Sequence, residues 1–254
     1  MNAQEKSTTS RSGPLLCLPF AGAGPSFFGS WNTRAPELDI RPVPLPGRER
    51  LIDREPHRDL QEAADDLVEH ALMVARDRPV SLFGHCFLGA ALSYEIARRL
   101  RERGAAVARL FVSASRVPGR PRAYGAERLD DEDFLALVQN ITGYQHEAMK
   151  IPEVRELLLP TLRADFAMDE TYSPRSQEPL DVPITAIRAR DDTLVAPSEV
   201  AEWSTRTTHP LDLIDVPGGH MYLATDPTPV LDVLRRRLLP ETVTVEEYSD
   251  EFAW

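Results

Sequence analysis

The sequence predicts an α/β fold in which a mainly parallel sheet is flanked by helices and interrupted by one inserted helical segment. Three observations carry that expectation. Short apolar runs of strand type alternate with amphipathic helical patterns, a spacing that implies βαβ crossovers and parallel pairing. One such run, Val80-Ser81-Leu82-Phe83-Gly84-His85-Cys86, enters a glycine-flanked corner and leaves at once as a helix. Between about 117 and 179 the alternation stops, and helical patterns alone fill a stretch too long for a structureless loop.

Residues 1–13 are polar and are expected to form a flexible leader. The first strand, Leu15 to Pro19, runs into Phe20-Ala21-Gly22-Ala23-Gly24-Pro25. Glycines there let backbone N–H groups approach a ligand, although an ordinary turn has the same composition. Ile40 to Leu45 reads as an edge strand, because its prolines cannot donate to a central ladder. Pro46-Gly47-Arg48 turns the chain into a helix over Leu60 to Arg76, with Leu60, Ala63, Ala64, Leu67, Val68 and Ala71 on one face. The corner strand comes next, then its helix to about Arg103, closed by Gly104. Leu110 to Ala114 is a further buried strand.

The inserted segment reads as a lid of two helices, Asp130 to Ile141 behind an acidic cap and Glu153 to Tyr172. The sheet resumes with Val182 to Ala189 and Leu211 to Val216, and a helix over Pro229 to Leu239 closes the domain. One domain over 14–240 encloses these elements. The tail, 241–254, carries five acidic residues and three aromatics and is also expected to be flexible.

The chain is long enough for a full core, and 42% hydrophobic with 27% charged residues is ordinary for a globular protein. Its 29 basic and 40 acidic residues give a net charge of −11, which argues against a general nucleic-acid or membrane-surface binder. No run reaches membrane-span length and no leading apolar segment resembles a signal peptide. Two cysteines, Cys17 and Cys86, make no disulfide framework. A cytoplasmic monomer is the expectation, and the six histidines show no metal-ligand spacing, so no cofactor is expected.

The glycine-flanked corner has the local form of a nucleophile elbow, whose pattern is Gly-x-Ser-x-Gly. Here the candidate nucleophile is Cys86, and the second glycine, Gly89, comes one residue late. Counted back from the helix, Phe87 would stand at the corner; a turn longer by one residue reconciles the two readings. A buried cysteine whose chemistry has been lost is the bland alternative. Two later stretches supply partners. Ala189-Arg190-Asp191-Asp192-Thr193-Leu194-Val195 offers carboxylates after one strand, and Val216-Pro217-Gly218-Gly219-His220 offers an imidazole after the next. Nucleophile, acid, histidine is the chain order of α/β-hydrolases, and reactive groups converge at the carboxyl ends of such strands.

The roles come from the chemistry. His220 takes the Cys86 proton, and a carboxylate on the far ring nitrogen orients the imidazole. Asp192 is favoured over Asp191, since it stands three residues before the apolar anchor Val195. The oxyanion hole would use the N–H groups of Phe87 and Ala21. His57, His70, His85, His146 and His209 read as structural or exposed.

The chain resembles the type II thioesterases that accompany polyketide and nonribosomal peptide synthetases. The matching pieces include Leu18-Pro19-Phe20-Ala21-Gly22-Ala23-Gly24 with Trp31, Leu45-Pro46-Gly47-Arg48-Glu49-Arg50, and Phe83-Gly84-His85 with Ala97-Arg98-Arg99-Leu100. They continue with Leu159-Pro160, Leu162-Arg163-Ala164-Asp165-Phe166, Glu170-Thr171-Tyr172, Asp191-Asp192, Trp203 and Gly218-Gly219-His220. The resemblance implies an α/β-hydrolase that frees acyl chains from the phosphopantetheine arm of an acyl or peptidyl carrier protein, with no cofactor of its own. The family usually carries serine where Cys86 stands. An acyl group on a cysteine stays activated, so an acyltransferase or cyclase is an alternative, and a carrier-docking module without catalysis is another. Arg116, Arg120, Arg122 and Arg128 are candidates for a basic patch facing the carrier, against the plainer reading of a solvated face.

Overall fold

The computed structural model describes residues 13–119, 123–142 and 147–239. The expected tails, 1–13 and 241–254, lie outside the described residues except for Gly13, as do Arg120, Arg122 and His146. Among the described residues, six strands form one sheet: β1 (Leu15–Leu18), β2 (Ile40–Pro42), β3 (Val80–His85), β4 (Val107–Ser113), β5 (Ile184–Ala189) and β6 (Asp212–Val216). All pairings are parallel, in the order β2-β1-β3-β4-β5-β6. β2 lies at the edge, as its prolines predict, but is shorter than expected. Pro42 and Pro44 have no N–H to continue the ladder.

Eight α-helices among the described residues flank or top the sheet: α1 (Gly29–Arg34), α2 (Leu60–Ala75), α3 (Cys86–Glu102), α4 (Asp131–Thr142), α5 (Pro152–Thr171), α6 (Pro197–Ala201), α7 (Tyr222–Thr225) and α8 (Thr228–Leu238). Strand side chains alternate between the two faces of the sheet with the period of two that the pleat imposes. Leu16, Leu18, Leu82, Leu110, Val112, Ile184 and Ala186 pack with α2, α3 and α6. Leu15, Cys17, Phe83, Phe111, Ile187 and Ala189 pack with α1 and α8 on the other side. Both faces are covered, which is why the strands read as continuous apolar runs. α2 begins where Asp59 accepts hydrogen bonds from the N–H groups of Gln61 and Glu62.

The segment between β4 and β5 contributes α4 and α5 and a small core of its own around Phe134, Leu162 and Phe166. Ala21, from the loop after β1, packs against that core. The layered parallel sheet with this helical insert is the α/β-hydrolase arrangement. The sequence pattern does not predict α1, α6 or α7; each is too short to display a helical period.

Candidate active site

Four loops at the carboxyl edge of the sheet meet over β3. The chain leaves β3 at Cys86 with φ of 57°, a left-handed conformation that costs an L-residue roughly 1–2 kcal/mol. That turn lifts the side chain off the end of the strand. It is possible because Gly84 lies against the Gly89 backbone: a Cβ on Gly84 would come within 2.0 Å of the Gly89 oxygen. Gly89 in turn faces β1, where an added Cβ would stand 2.9 Å from the Leu18 oxygen. The lengthened corner expected from the sequence is absent. The helix starts at Cys86 itself, with Leu88 buried in its first turn and Gly89 keeping the close backbone contact.

Cys86 is half-buried. Its Sγ lies 3.1 Å from Nε2 of His220, on the loop after β6. The far nitrogen, Nδ1, lies 2.9 Å from Oδ2 of Asp192, on the loop after β5. The other carboxylate oxygen of Asp192 accepts the N–H groups of Leu194 at 2.8 Å and Val195 at 3.1 Å. The two loops are also joined by backbone, Asp191 N–H donating to the Gly218 carbonyl. Asp191 itself turns its side chain to solvent. Asp192 is the acid that meets the imidazole.

The charges obey this geometry. Burial pulls the His220 pKa down, but negative charge at Cys86 and the hydrogen bond to Asp192 outweigh it and push it up to about 10. At neutral pH the ring therefore holds its proton. Burial would raise the Asp192 pKa, yet the His220 hydrogen bond and charge, with the two backbone donors, leave it below the usual carboxylate range. Behind the site, His85 is fully buried, shares a 2.9 Å hydrogen bond with Ser113 Oγ, and Ser113 reaches the Tyr222 hydroxyl at 2.8 Å. Burial first, then the charge of His220, holds the His85 pKa well below the ordinary histidine value. Its neutral ring, 5.6 Å from that of His220, does not compete for the proton.

Two cavities open at Cys86. The larger, about 220 Å³, is apolar, walled by Phe20 and Phe27 from the loop after β1 and by Val138, Leu158 and Leu162 from α4 and α5. The smaller, about 40 Å³, holds His220, Phe87 and the charged side chains Arg116, Asp165 and Asp169. Ala21 borders both, so Ala21 and Phe87 stand at the same opening as the sulfur. Arg116 is not the surface residue the sequence suggests: it is 6% exposed, donates to Asp169 at 2.8 Å, and lies over the Phe87 ring. Arg128 is exposed. Arg48 and Asp165, to which sequence patterning assigns no role, form a buried pair 2.7 Å apart beside the site. Among the described residues no group of His, Cys, Asp and Glu could hold a metal ion, and no helix is long and apolar enough to cross a membrane.

A family model described as a thioesterase domain matches residues 13–238. Thioesterase PikA5 of Streptomyces venezuelae is 35% identical over 217 residues, 82% of this chain and 75% of that protein. Among solved structures, the thioesterase RedJ from the prodiginine pathway of Streptomyces coelicolor superposes with a TM-score of 0.82 at 31% identity. That match covers 90% of this chain and 91% of RedJ. YbtT, a type II thioesterase from the yersiniabactin NRPS/PKS pathway, gives 0.80 at 28% identity, over 90% of this chain and 94% of its own.

Proposed function

This chain belongs to the thioesterase family, in its type II branch, and is a thioester hydrolase; from that premise we propose that it releases acyl groups from the phosphopantetheine arm of carrier proteins during polyketide or nonribosomal peptide synthesis. One observation carries the reading: a sulfur–imidazole–carboxylate chain with links of 3.1 and 2.9 Å at the mouth of an apolar cavity. Relatives named for the prodiginine and yersiniabactin NRPS/PKS pathways support that biosynthetic setting, in which a carrier protein would present the acyl group.

The acyl chain enters the larger cavity, where α4 and α5 serve as a lid. Cys86, as thiolate, attacks the thioester carbonyl, and negative charge moves to the carbonyl oxygen, facing the N–H groups of Ala21 and Phe87. His220 gives its proton to the departing pantetheine sulfur, and the C–S bond breaks. The acyl group is then on Cys86 and the sulfur's charge is gone, so the His220 pKa falls and the ring, having given up its proton, stays neutral and serves as the base. It takes a proton from water as the water oxygen attacks; the second tetrahedral intermediate expels Cys86 thiolate and leaves the free acid, with His220 protonated again. Asp192 holds the tautomer throughout.

The cysteine favours a second outcome at one point. Acylation exchanges one thioester for another with little loss of driving force, so acyl-Cys86 remains activated toward amines as well as water. Carrier protein loaded with acyl-pantetheine, mixed with wild type and with Cys86→Ala and monitored by intact mass, tests both. The proposal expects an acyl adduct on the wild type alone, decaying to free acid. An adduct that persists until an amine is added means transfer. Turnover by Cys86→Ala, or neither adduct nor turnover with any chain, sinks the nucleophile assignment.

A further inference from the structure

We infer that Asp165 and Arg48 are positioning residues for the oxyanion, so that seating of the lid and assembly of the oxyanion site are one event. The inference rests on Ala21 being an oxyanion donor. Asp165 projects from α5, and Arg48 stands just after the Pro-Gly turn beyond β2; their side chains are 0% and 5% exposed and lie 117 residues apart in sequence. The pair is forked, with guanidinium nitrogens 2.7 Å from Oδ1 and 3.1 Å from Oδ2.

Neither group stops at the other. Asp165 Oδ2 accepts the N–H of Gly22 at 2.8 Å, and Arg48 donates to the Ala23 carbonyl at 2.9 Å. The pair thus grips the main chain at the peptide directly after Ala21 and again one residue later. One helical turn before Asp165, Thr161 donates to the Gly47 carbonyl at 2.5 Å, so the same face of α5 also holds the turn that carries Arg48.

A buried ion pair is a poor source of net stability, because desolvation consumes most of its attraction. What it supplies is fixed geometry, since a fork admits few alternative arrangements and a stranded partner is costly. At this seam the fixed object is the loop bearing Ala21. If α5 lifts, Asp165 leaves with it, Arg48 is stranded, and the Gly22 N–H loses its acceptor. The loop then no longer presents Ala21 to the substrate oxygen.

Two reagents that share one sulfur separate this from a general loosening. An acyl trifluoromethyl ketone adds reversibly to Cys86 and places an oxyanion in the site; iodoacetamide alkylates Cys86 by displacing iodide and forms none. Asp165→Asn and Arg48→Lys, a second variant that keeps the charge but not the fork, are each expected to weaken the ketone about 10- to 100-fold. kcat should fall in parallel, while the alkylation rate and KM stay within about twofold of wild type. Unchanged ketone affinity in both variants, or alkylation falling in step with it, overturns the inference. Ala21→Pro, which removes that backbone donor, is run beside them. Loss of ketone affinity there, with none in the clamp variants, overturns the clamp alone; retention there overturns the oxyanion reading and the clamp together.

Discussion

Two aspartates border the site, and they have been put to opposite uses. Asp192 sits on a loop at the carboxyl edge of the sheet, with two backbone donors of its own loop on one oxygen and His220 on the other. Asp165 sits on the insert, wholly buried, with a permanent cation and a backbone N–H from two distant segments. Burial raises the pKa of Asp165 against the pull of Arg48 and Gly22, whereas the contacts of Asp192 more than offset its burial. A carboxylate facing a partner that gains and loses protons takes part in chemistry. One facing an arginine, whose charge never changes, fixes position.

The comparison can be broken from either side. Removing the sulfur should have the largest effect: Cys86→Ala is expected to lose about 10⁴-fold or more in turnover, measured with acyl-carrier substrate. The same variant sharpens the account of His220. Its ring should stay protonated up to about pH 10 in the wild type, and the midpoint should move down when the negative charge beside it is removed. A histidine NMR titration reads this directly; an unmoved midpoint would mean that Asp192 alone sustains the imidazolium. On the other side, Arg48→Met strands the buried Asp165 charge and should cost about 3–5 kcal/mol of stability in denaturant unfolding. Loss below about 1 kcal/mol would show that the carboxyl simply takes up a proton there.

Asp192→Asn should cost about 100-fold in kcat, well short of the roughly 10⁴ typical when the nucleophile is a serine. Here the sulfur's charge, not the carboxylate, is the strongest influence raising the His220 pKa. A loss matching the serine case would show that the cysteine depends on the carboxylate just as a hydroxyl does. The smallest effect is assigned to Tyr172→Phe, at the end of α5, where the hydroxyl donates to the buried Glu95 at 2.7 Å. It should lower stability by about 1.5–3 kcal/mol and leave kcat within about twofold, because the ring that packs on Phe87 is kept and only the hydroxyl's bond to Glu95 is lost.

The two regions also differ in how much of them the sequence discloses. Cys86, Asp192 and His220 are legible because each stands just past an apolar strand, and parallel strands bring the loops at their carboxyl ends to one edge. The sheet, its edge strand and the long helices are legible for the same reason: period and punctuation are local. The Arg48–Asp165 pair is not, since nothing local in Pro-Gly-Arg or in a helical aspartate says that they meet across 117 residues. Arg116 misleads because four arginines near the insert look like a surface patch, while the fold turns this one inward onto Asp169 and the Phe87 ring. The late glycine misleads too, because a strict motif count has no means of showing that the helix begins at Cys86 and still keeps Gly89 against β1.

The two edge strands bear on how the protein behaves at high concentration. An open parallel sheet offers unpaired backbone along both margins, an invitation to strand addition and aggregation. Here β2 is three residues long and ends in Pro42, which has no donor to offer a newcomer. β6 carries Asp212 and Asp215, paired with Arg237 and Arg188, so its margin is studded with charge around the exposed Leu213. Among the described residues neither margin presents the long, flat, apolar edge on which fibrils and domain swaps begin.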